Sequence, residues 1–290
     1  MSWIRDSSLS WPSLLLLRIL KCGRIPQHIA FIMDGNRRFA KKVNIQKVKG
    51  HSKGFDKLSE TLQWCLDIGV KEVTVYAFSI ENYKRTKEEV DDLMNLSREK
   101  LKRLLEEKEV INEYGMKIRI IGNRSLLPQD ITELMTEAED MFKNNNKTIL
   151  NIAFSYSAQD EITNAVNLSL RGLHEGSLNE EDLNVSLLSR CLYTADSPHP
   201  ELVIRTSGET RLSDFLLWQS SCSYLHFTGV LWPEFSVWDF LWAIFKYQSV
   251  AEKLDELRNN LHPTGNFSPK AAQFLNKIQL GQLKNSIVPI

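Results

Sequence analysis

The chain has 290 residues, of which 42% are hydrophobic and 25% charged, as is ordinary for a globular fold with one large core or two small ones. Lys and Arg total 36 and Asp and Glu total 36, so no global field attracts nucleic acid, and we expect no nucleic-acid partner. The four cysteines are far apart and form no CxxC pair, which disfavours a disulfide framework or a structural zinc site.

The first 24 residues combine tryptophans and leucines with the basic side chains Arg5, Arg18 and Lys21. This stretch is too short and too interrupted to span a bilayer, which takes roughly 20 apolar residues. It also lacks the small-residue cleavage site of a signal peptide. The pattern is typical of an amphipathic helix that either lies in a membrane interface or packs on the protein body or on a partner.

The first predicted strand, residues 29–33, is apolar without alternation, which is typical of a strand buried on both faces of a parallel sheet. It ends in Asp34, Gly35, Arg37 and Arg38. Gly35 allows a tight turn, Asp34 can hold a hard cation, and the arginines can neutralise phosphate. Alone, this pattern also fits an ordinary turn at the end of a strand.

The rest of the chain alternates between strands and helices. Further strands are predicted at residues 72–78, 117–121, 149–155, 201–205 and 224–227, and helices at 55–68, 88–110, 130–142, 159–173, 212–220 and 237–253. This order predicts one α/β domain, residues 25–260, with a six-stranded, mostly parallel sheet flanked by helices. Residues 1–24 form an N-terminal amphipathic segment, and residues 261–290 a peripheral C-terminal tail.

Two more predicted strands end in polar side chains. Strand 72–78 is followed by Ser79, Asn82 and Arg85, and strand 201–205 ends in Arg205 and is followed by Arg211 and Ser213. Because parallel strands bring their carboxyl ends together, these arginines would surround more than one phosphate group, with Asp34 holding a magnesium ion.

Sequence motifs of several other anion sites and catalytic sites are missing. The chain has no P-loop GxxxxGK[ST], no GxGxxG and no serine elbow GxSxG. A site with arginines, a cation and no evident nucleophile is expected to bind diphosphates and to stabilise a departing one electrostatically. The apolar stripe of the helix predicted at 88–110 would line a slot for a hydrocarbon.

Five segments together resemble the cis-prenyltransferases. They are HIAFIMDGNRRFAKK (28–42), GHSKGF (50–55), YAFSIENYKR (76–85), VIRTSGETRLSDFLLWQ (203–219) and LWPEF (231–235). The resemblance implies an undecaprenyl diphosphate synthase-like fold and an enzyme that elongates farnesyl diphosphate by repeated cis addition of isopentenyl diphosphate. The implied product is a long polyprenyl diphosphate, dehydrodolichyl diphosphate, for dolichol synthesis.

The resemblance also implies residue roles. Asp34 would bind Mg²⁺, and Asn82 would lie between the two substrates and assist attack or proton removal. The residues implied to be catalytic are Asp34, Arg38, Asn82 and Ser213. The allylic diphosphate would be held by Gly35, Asn36, Arg37, Arg38 and Arg85, and isopentenyl diphosphate by Arg205, Arg211 and Ser213. Further residues that would line the site are His51, Phe78 and Ser79.

The chain departs from the family pattern at three places. Tyr224 stands where bacterial members have a glutamate metal ligand, and Lys47 stands where many members have an arginine. The last ten residues lack the Arg-x-Gly tail with which self-sufficient members reach a neighbouring site. This last departure predicts a heteromer with an accessory subunit similar to the Nogo-B receptor family. We expect the pair to lie peripherally on the cytosolic face of the endoplasmic reticulum membrane.

Two alternatives remain open at this stage. The first is a non-catalytic scaffold subunit of a prenyltransferase complex, although an inert relative would be expected to lose Asp34 and the arginines. The second is a phosphate-binding α/β hydrolase acting on a soluble metabolite. Product chain length, the preferred allylic starter and the downstream use of the product are not predicted.

Overall fold

The computed structural model describes residues 3–4, 9–195, 197–261 and 267–279. Its strands are β1 (His28–Ile32), β2 (Glu72–Ser79), β3 (Met116–Ile121), β4 (Thr148–Tyr156), β5 (Leu202–Arg205) and β6 (Tyr224–Phe227). Its α-helices are α1 (Trp11–Lys21), α2 (Asn36–Lys42), α3 (Lys47–Ile68), α4 (Lys87–Glu106), α5 (Lys108–Glu113), α6 (Gln129–Phe142), α7 (Ala158–His174), α8 (Val185–Cys191), α9 (Val237–Gln248), α10 (Ala251–Leu261) and α11 (Pro269–Gln279).

The strands form one six-stranded sheet in the order β3-β4-β2-β1-β5-β6, and neighbouring strands pair in parallel. β1 lies between β2 and β5, so that Ile29 is in register with Val73 on one side and with Leu202 on the other. The predicted parallel sheet flanked by helices is therefore confirmed. Its order brings together the carboxyl ends of β2, β1 and β5, the three strands that precede the predicted site residues.

Every residue of β1 is buried, because helices and loops cover both faces of the sheet. Ile29 and Phe31 belong to the core that packs against α3, α4, α6 and α9. Ala30 and Ile32 belong to a second cluster on the opposite face, where they meet residues of the segment after β5. This double burial explains why the strand is apolar throughout rather than alternating.

Two glycines on one face of α3 let this helix lie against α2. A Cβ on Gly50 would fall 2.6 Å from the backbone oxygen of Asn36, and one on Gly54 would fall 2.2 Å from Asn36 Oδ1. The two positions are four residues apart and so share a face of the helix. The close approach holds α2, which carries Arg37 and Arg38, beside the carboxyl end of β1.

Within the domain, one predicted helix is absent and two are interrupted. The helix expected at 237–253 is divided into α9, which ends at Gln248, and α10, which begins at Ala251. Residues 212–220 were expected to be helical but form turns, since Ser213, Asp214 and Leu216 have φ angles of 50°, 59° and 46°. The helix expected at 88–110 is interrupted at Glu107, which ends α4 and precedes α5.

The predicted N-terminal helix is present as α1, with one face packed on the body. Leu17 and Leu20 are buried, and Gln248 of α9 donates a hydrogen bond to the backbone oxygen of Leu20 at 2.8 Å. The other face is exposed, with Trp11 at 77% and Ile19 at 57% of their full accessibility. Among the described residues, each helix is too short or too polar to traverse a lipid bilayer.

The C-terminal region contains a helix that the sequence analysis did not predict. Ala271, Phe274, Leu275 and Ile278 of α11 are buried in a small apolar cluster with residues of α7 and α8. The final ten residues, in which the Arg-x-Gly motif is missing, lie outside the described part of the chain. The domain boundaries at residues 25 and 260 stay predictions.

Candidate active site

A cavity of about 1300 Å³ opens at the carboxyl ends of β1, β2 and β5. The structure brings every site residue predicted from the sequence to its wall, although their roles stay predictions. These residues are Asp34, Gly35, Asn36, Arg37, Arg38, His51, Phe78, Ser79, Asn82, Arg85, Arg205, Arg211 and Ser213. One end of the cavity is therefore polar and rich in guanidinium groups.

Asp34 lies at the centre of the polar end. Gly35 adopts a φ of 109°, which turns the chain sharply after β1 and lets its N–H donate to Asp34 Oδ1 at 2.7 Å. Asp34 Oδ2 accepts a hydrogen bond from Arg205 Nη2 at 2.9 Å and lies 3.8 Å from Arg38 Nη2. The hydroxyl of Thr206 donates to the backbone oxygen of Asp34 at 2.7 Å, which ties the ends of β1 and β5 together.

The segment after β5 gathers a second set of anion-binding groups. Arg205 is 3% exposed, and its Nη1 donates to Ser213 Oγ at 2.7 Å and to the backbone oxygen of Arg211. Arg211 pairs with Glu209, and Arg38 of α2 lies 3.6 Å from the same carboxylate. Guanidinium groups from two strand ends thus share carboxylate partners within one cavity.

Glu89 does not line the cavity, but it contacts three of the cations that do, and sequence reasoning missed it. Its Oε1 lies 2.9 Å from Arg85 Nη1 and 3.3 Å from Arg37 Nη1, and its Oε2 lies 3.3 Å from Lys47 Nζ. These cations lower the pKa of Glu89 although burial opposes them. The sequence does signal a helix start here, because Thr86 caps the backbone N–H of Glu89. Nothing in that local signal indicates three partners from different elements.

His51 is held neutral beside these cations. Burial, reinforced by the positive charges of Arg85 and Arg37, lowers the pKa of His51 to about 4. Its buried Nε2 has no hydrogen-bond partner among the described residues. A neutral imidazole in this place can offer an N–H to an anion without adding to the repulsion between the guanidinium groups.

Asn82 lies in a tight 3-10 turn, Ile80–Lys84, that follows β2. Its Oδ1 accepts the backbone N–H of Ser79 at 3.0 Å, while the Ser79 hydroxyl accepts the N–H of Glu81 at 3.1 Å. These bonds fix the side chain of Asn82 through its oxygen. Phe78, just before the turn, stacks on Phe154 with ring centroids 5.2 Å apart and supports the turn from below.

The far end of the cavity is apolar. Its wall includes Phe55, Leu58, Leu93, Leu96, Leu101, Ile120, Met135, Ile152 and Phe154, contributed mainly by α3, α4 and the sheet. Two residues there were not anticipated. Trp3 is buried and its Nε1 donates to the backbone oxygen of Lys100 at 2.9 Å. The Nζ of Lys100 lies 4.8 Å from the centre of the Phe55 ring.

The carboxylates of the site offer one plausible cation ligand rather than a cage. Within the described ranges, no group of three or more His, Cys, Asp or Glu side chains is arranged to hold a metal ion. Asp34, however, faces the cavity at a strand end with its side chain 37% exposed. A single carboxylate suits an ion whose remaining ligands are phosphate oxygens and water, as is common for Mg²⁺.

A family model and the sequences of known proteins both relate this chain to prenyl diphosphate synthases. Residues 32–255 match the prenyltransferase family model described as "Putative undecaprenyl diphosphate synthase". The human dehydrodolichyl diphosphate synthase complex subunit DHDDS is 52% identical over 259 residues, which cover 89% of this chain and 78% of the human protein. The tritrans,polycis-undecaprenyl-diphosphate synthase (geranylgeranyl-diphosphate specific) of Pyrococcus abyssi is 44% identical over 233 residues, covering 80% of this chain and 88% of that protein.

A solved structure resembles the fold as well. The crystal structure of lavandulyl diphosphate synthase from Lavandula x intermedia in complex with dimethylallyl diphosphate superposes with a TM-score of 0.73 at 29% sequence identity. The alignment covers 77% of this chain and 95% of that chain.

The low pKa of His51 makes stability depend on pH in a defined direction. The unfolded chain takes up a proton near the ordinary pKa of 6.5, whereas the folded protein does so only near pH 4. The contribution of His51 is therefore complete above pH 6.5 and is lost as pH falls towards 4. Between pH 7 and pH 5, the unfolding free energy of His51→Gln should therefore fall by about 2 kcal/mol less than that of wild type.

Urea denaturation at the two pH values measures this difference. His174→Gln, at an exposed position at the end of α7, is the matched control and should follow wild type. An equal loss of stability in wild type and in His51→Gln would contradict the prediction.

Proposed function

The chain belongs to the cis-prenyltransferase family, and we infer that it elongates an allylic diphosphate by repeated condensation with isopentenyl diphosphate to a long-chain polyprenyl diphosphate of the dehydrodolichyl type. The observation that carries this function is the shape and polarity of one cavity. Guanidinium groups and a carboxylate crowd its polar end, and an apolar wall of helices and strands forms the rest. A diphosphate with a growing hydrocarbon chain likewise has a charged end and an apolar remainder, so it matches the two parts of the cavity.

We propose that the allylic diphosphate, farnesyl diphosphate, occupies the side of the cavity near α2 and the turn after β2. The N-terminus of α2 offers the backbone of Gly35 and Asn36, and Arg37, Arg38 and Arg85 supply positive charge. Bidentate guanidinium contacts fit phosphate oxygens well. The hydrocarbon would extend between α3 and α4 along the apolar wall.

Isopentenyl diphosphate would bind on the other side of Asp34. Arg205, Arg211 and Ser213 are gathered there by the segment after β5, as the hydrogen bonds of Arg205 support. Asn82, which lines the same cavity, would lie between the two diphosphates and would orient isopentenyl diphosphate for attack or assist removal of its proton. Phe78, Ser79 and His51 would complete the wall around the reacting carbons.

Asp34 would hold Mg²⁺ together with the allylic diphosphate. When bound, the ion supplies charge that stabilises the departing diphosphate. Arg205 and Arg38 face the same carboxylate, which orients Asp34 towards the cavity. Tyr224 offers no carboxylate to complement Asp34, which supports a shell made mainly of phosphate oxygens and water.

We further propose that the chain works as one subunit of a heteromer at the cytosolic face of the endoplasmic reticulum membrane. The human relative is named as a subunit of a complex, which supports a partner that we take to be similar to the Nogo-B receptor family. The exposed face of α1, with Trp11, Leu15 and Ile19 beside Arg18 and Lys21, supports contact with a lipid surface.

The first experiment is incorporation of labelled isopentenyl diphosphate into lipid-extractable product, with farnesyl diphosphate, Mg²⁺ and detergent. It compares the chain alone with the chain plus a Nogo-B receptor-like subunit. We expect long product when both subunits are present. Long product from the chain alone would keep the enzyme and refute the need for a partner, whereas no product in either case would favour the scaffold alternative.

Asp34→Asn should reduce turnover to background, because it removes the carboxylate proposed to hold Mg²⁺ while leaving an oxygen to accept from Arg205. The assay is the same labelled incorporation, with thermal unfolding as a check that the fold persists. Asp92→Asn, at an exposed position on α4 outside the cavity wall, is the matched control and should keep wild-type turnover. Wild-type rates in Asp34→Asn would refute the assignment.

A triple substitution of Trp11, Leu15 and Ile19 by Glu should abolish binding to vesicles of phosphatidylcholine and phosphatidylserine, measured by co-sedimentation. A second triple variant adds the same charge at other exposed leucines, namely Leu126, Leu170 and Leu257. If both variants lose binding equally, or neither does, α1 is not the membrane-binding element.

A further inference from the structure

The segment that carries the second anion site, residues 206–219, is held in an uncommon backbone conformation. Ser207, Ser213, Asp214 and Leu216 have φ angles of 79°, 50°, 59° and 46°, in the left-handed region that non-glycine residues rarely adopt. Such conformations cost free energy and persist only where surrounding contacts hold them. The contacts that hold this segment therefore determine where Arg211 and Ser213 lie.

The middle of the segment is fixed by a cluster of aromatic rings. Phe215 stacks on Tyr76 of β2, with ring centroids 4.5 Å apart and an interplanar angle of 15°. Tyr156 of β4 meets Phe215 edge-on at 5.9 Å. The Tyr76 hydroxyl donates to the backbone oxygen of Tyr156 at 3.1 Å and lies 3.4 Å from that of Ser213.

Glu161 of α7 lies behind this cluster and is fully buried. Its Oε2 accepts hydrogen bonds from the Tyr156 hydroxyl at 2.5 Å and from Gln219 Nε2 at 2.8 Å, while its Oε1 accepts the backbone N–H of Thr194 at 3.2 Å. Burial raises the pKa of Glu161, and these donors offset that cost. The carboxylate thus joins Tyr156, which supports Phe215, to Gln219, the last residue of the segment.

The contacts of Glu161 separate it from the other anion site. The cations assigned to the allylic diphosphate, Arg37 and Arg85, are held by Glu89 at the start of α4. Glu161 accepts hydrogen bonds from Tyr156, Thr194 and Gln219, none of which lines the cavity. Loss of the Glu161 contacts should therefore disturb residues 206–219 and leave the Glu89 group in place.

We propose that Glu161 is a positioning residue for isopentenyl diphosphate: by holding Tyr156 and Gln219, it fixes residues 206–219 so that Arg211 and Ser213 meet the diphosphate. The proposal rests on the proposed function, which assigns isopentenyl diphosphate to these residues. Glu161 itself contacts no substrate.

Steady-state kinetics of the complete complex test this role. We expect Glu161→Gln to raise the KM for isopentenyl diphosphate about tenfold, as for loss of a hydrogen bond to a charged group, while the KM for farnesyl diphosphate stays at its wild-type value. Tyr156→Phe removes the hydrogen bond from the Tyr156 hydroxyl to Glu161 with little change in side-chain volume. It should also raise the KM for isopentenyl diphosphate. It also keeps the test informative if Glu161→Gln folds poorly.

Glu72→Gln is the matched control. Glu72 is a second buried carboxylate, 3% exposed, which accepts a hydrogen bond from Asn151 at the amino end of β2, away from the cavity. Its substitution should lower thermal stability without changing either KM. If Glu161→Gln raised both KM values, or if Glu72→Gln raised that for isopentenyl diphosphate equally, Glu161 would be a structural residue only and the proposal would be wrong.

Hydrogen–deuterium exchange of the substrate-free protein provides a readout independent of turnover. The N–H groups of Phe215 and Ser220 donate to Leu212 and Leu216, and they should exchange faster in Glu161→Gln than in wild type or Glu72→Gln. Unchanged exchange would overturn the proposal. If wild type did not use isopentenyl diphosphate, the proposed function would fail, and exchange would still report whether Glu161 anchors the segment.

Discussion

Parallel pairing of β1 with β2 on one side and β5 on the other is the constraint on which the site depends. Asp34 and Arg205 are 171 residues apart in sequence, yet their side chains lie 2.9 Å apart because the two strands end at the same edge. Apolar clusters on both faces hold these strands in register. The sheet therefore forms a rigid support, and the turns after its strands carry the polar side chains of the site.

Concentrating guanidinium groups in one cavity is unfavourable unless negative charge balances them. Burial and the nearby charge of Arg37 lower the pKa of Arg85, which is a direct sign of that cost. Glu89, Glu209 and Asp34 provide the balance from within the chain, and His51 avoids adding to the repulsion by remaining neutral. A diphosphate that enters the cavity meets cations already ordered by carboxylates, so little reorganisation is required for binding.

Local sequence patterns predicted the sheet well and the loops less well. β6 has the predicted bounds, and the three polar strand ends meet as parallel topology requires. Residues 212–220 were misread because Phe215 and Leu216 look like the apolar face of a helix, whereas contacts with Tyr76 and Tyr156 impose left-handed turns. Glu89 and Glu161 were missed because each also has partners far away in sequence: Arg37 and Lys47 for Glu89, and Thr194 and Gln219 for Glu161.

The burial of Trp3 in the cavity wall ties a residue from outside the predicted catalytic domain to α4. The backbone N–H of Trp3 donates to the Glu107 carboxylate at 2.8 Å, and its indole N–H donates to the backbone oxygen of Lys100 at 2.9 Å. Both bonds attach Trp3 to the second half of α4 and the residue that follows it. A residue more than ninety positions away in sequence thus helps to shape the surface that a growing hydrocarbon chain would meet.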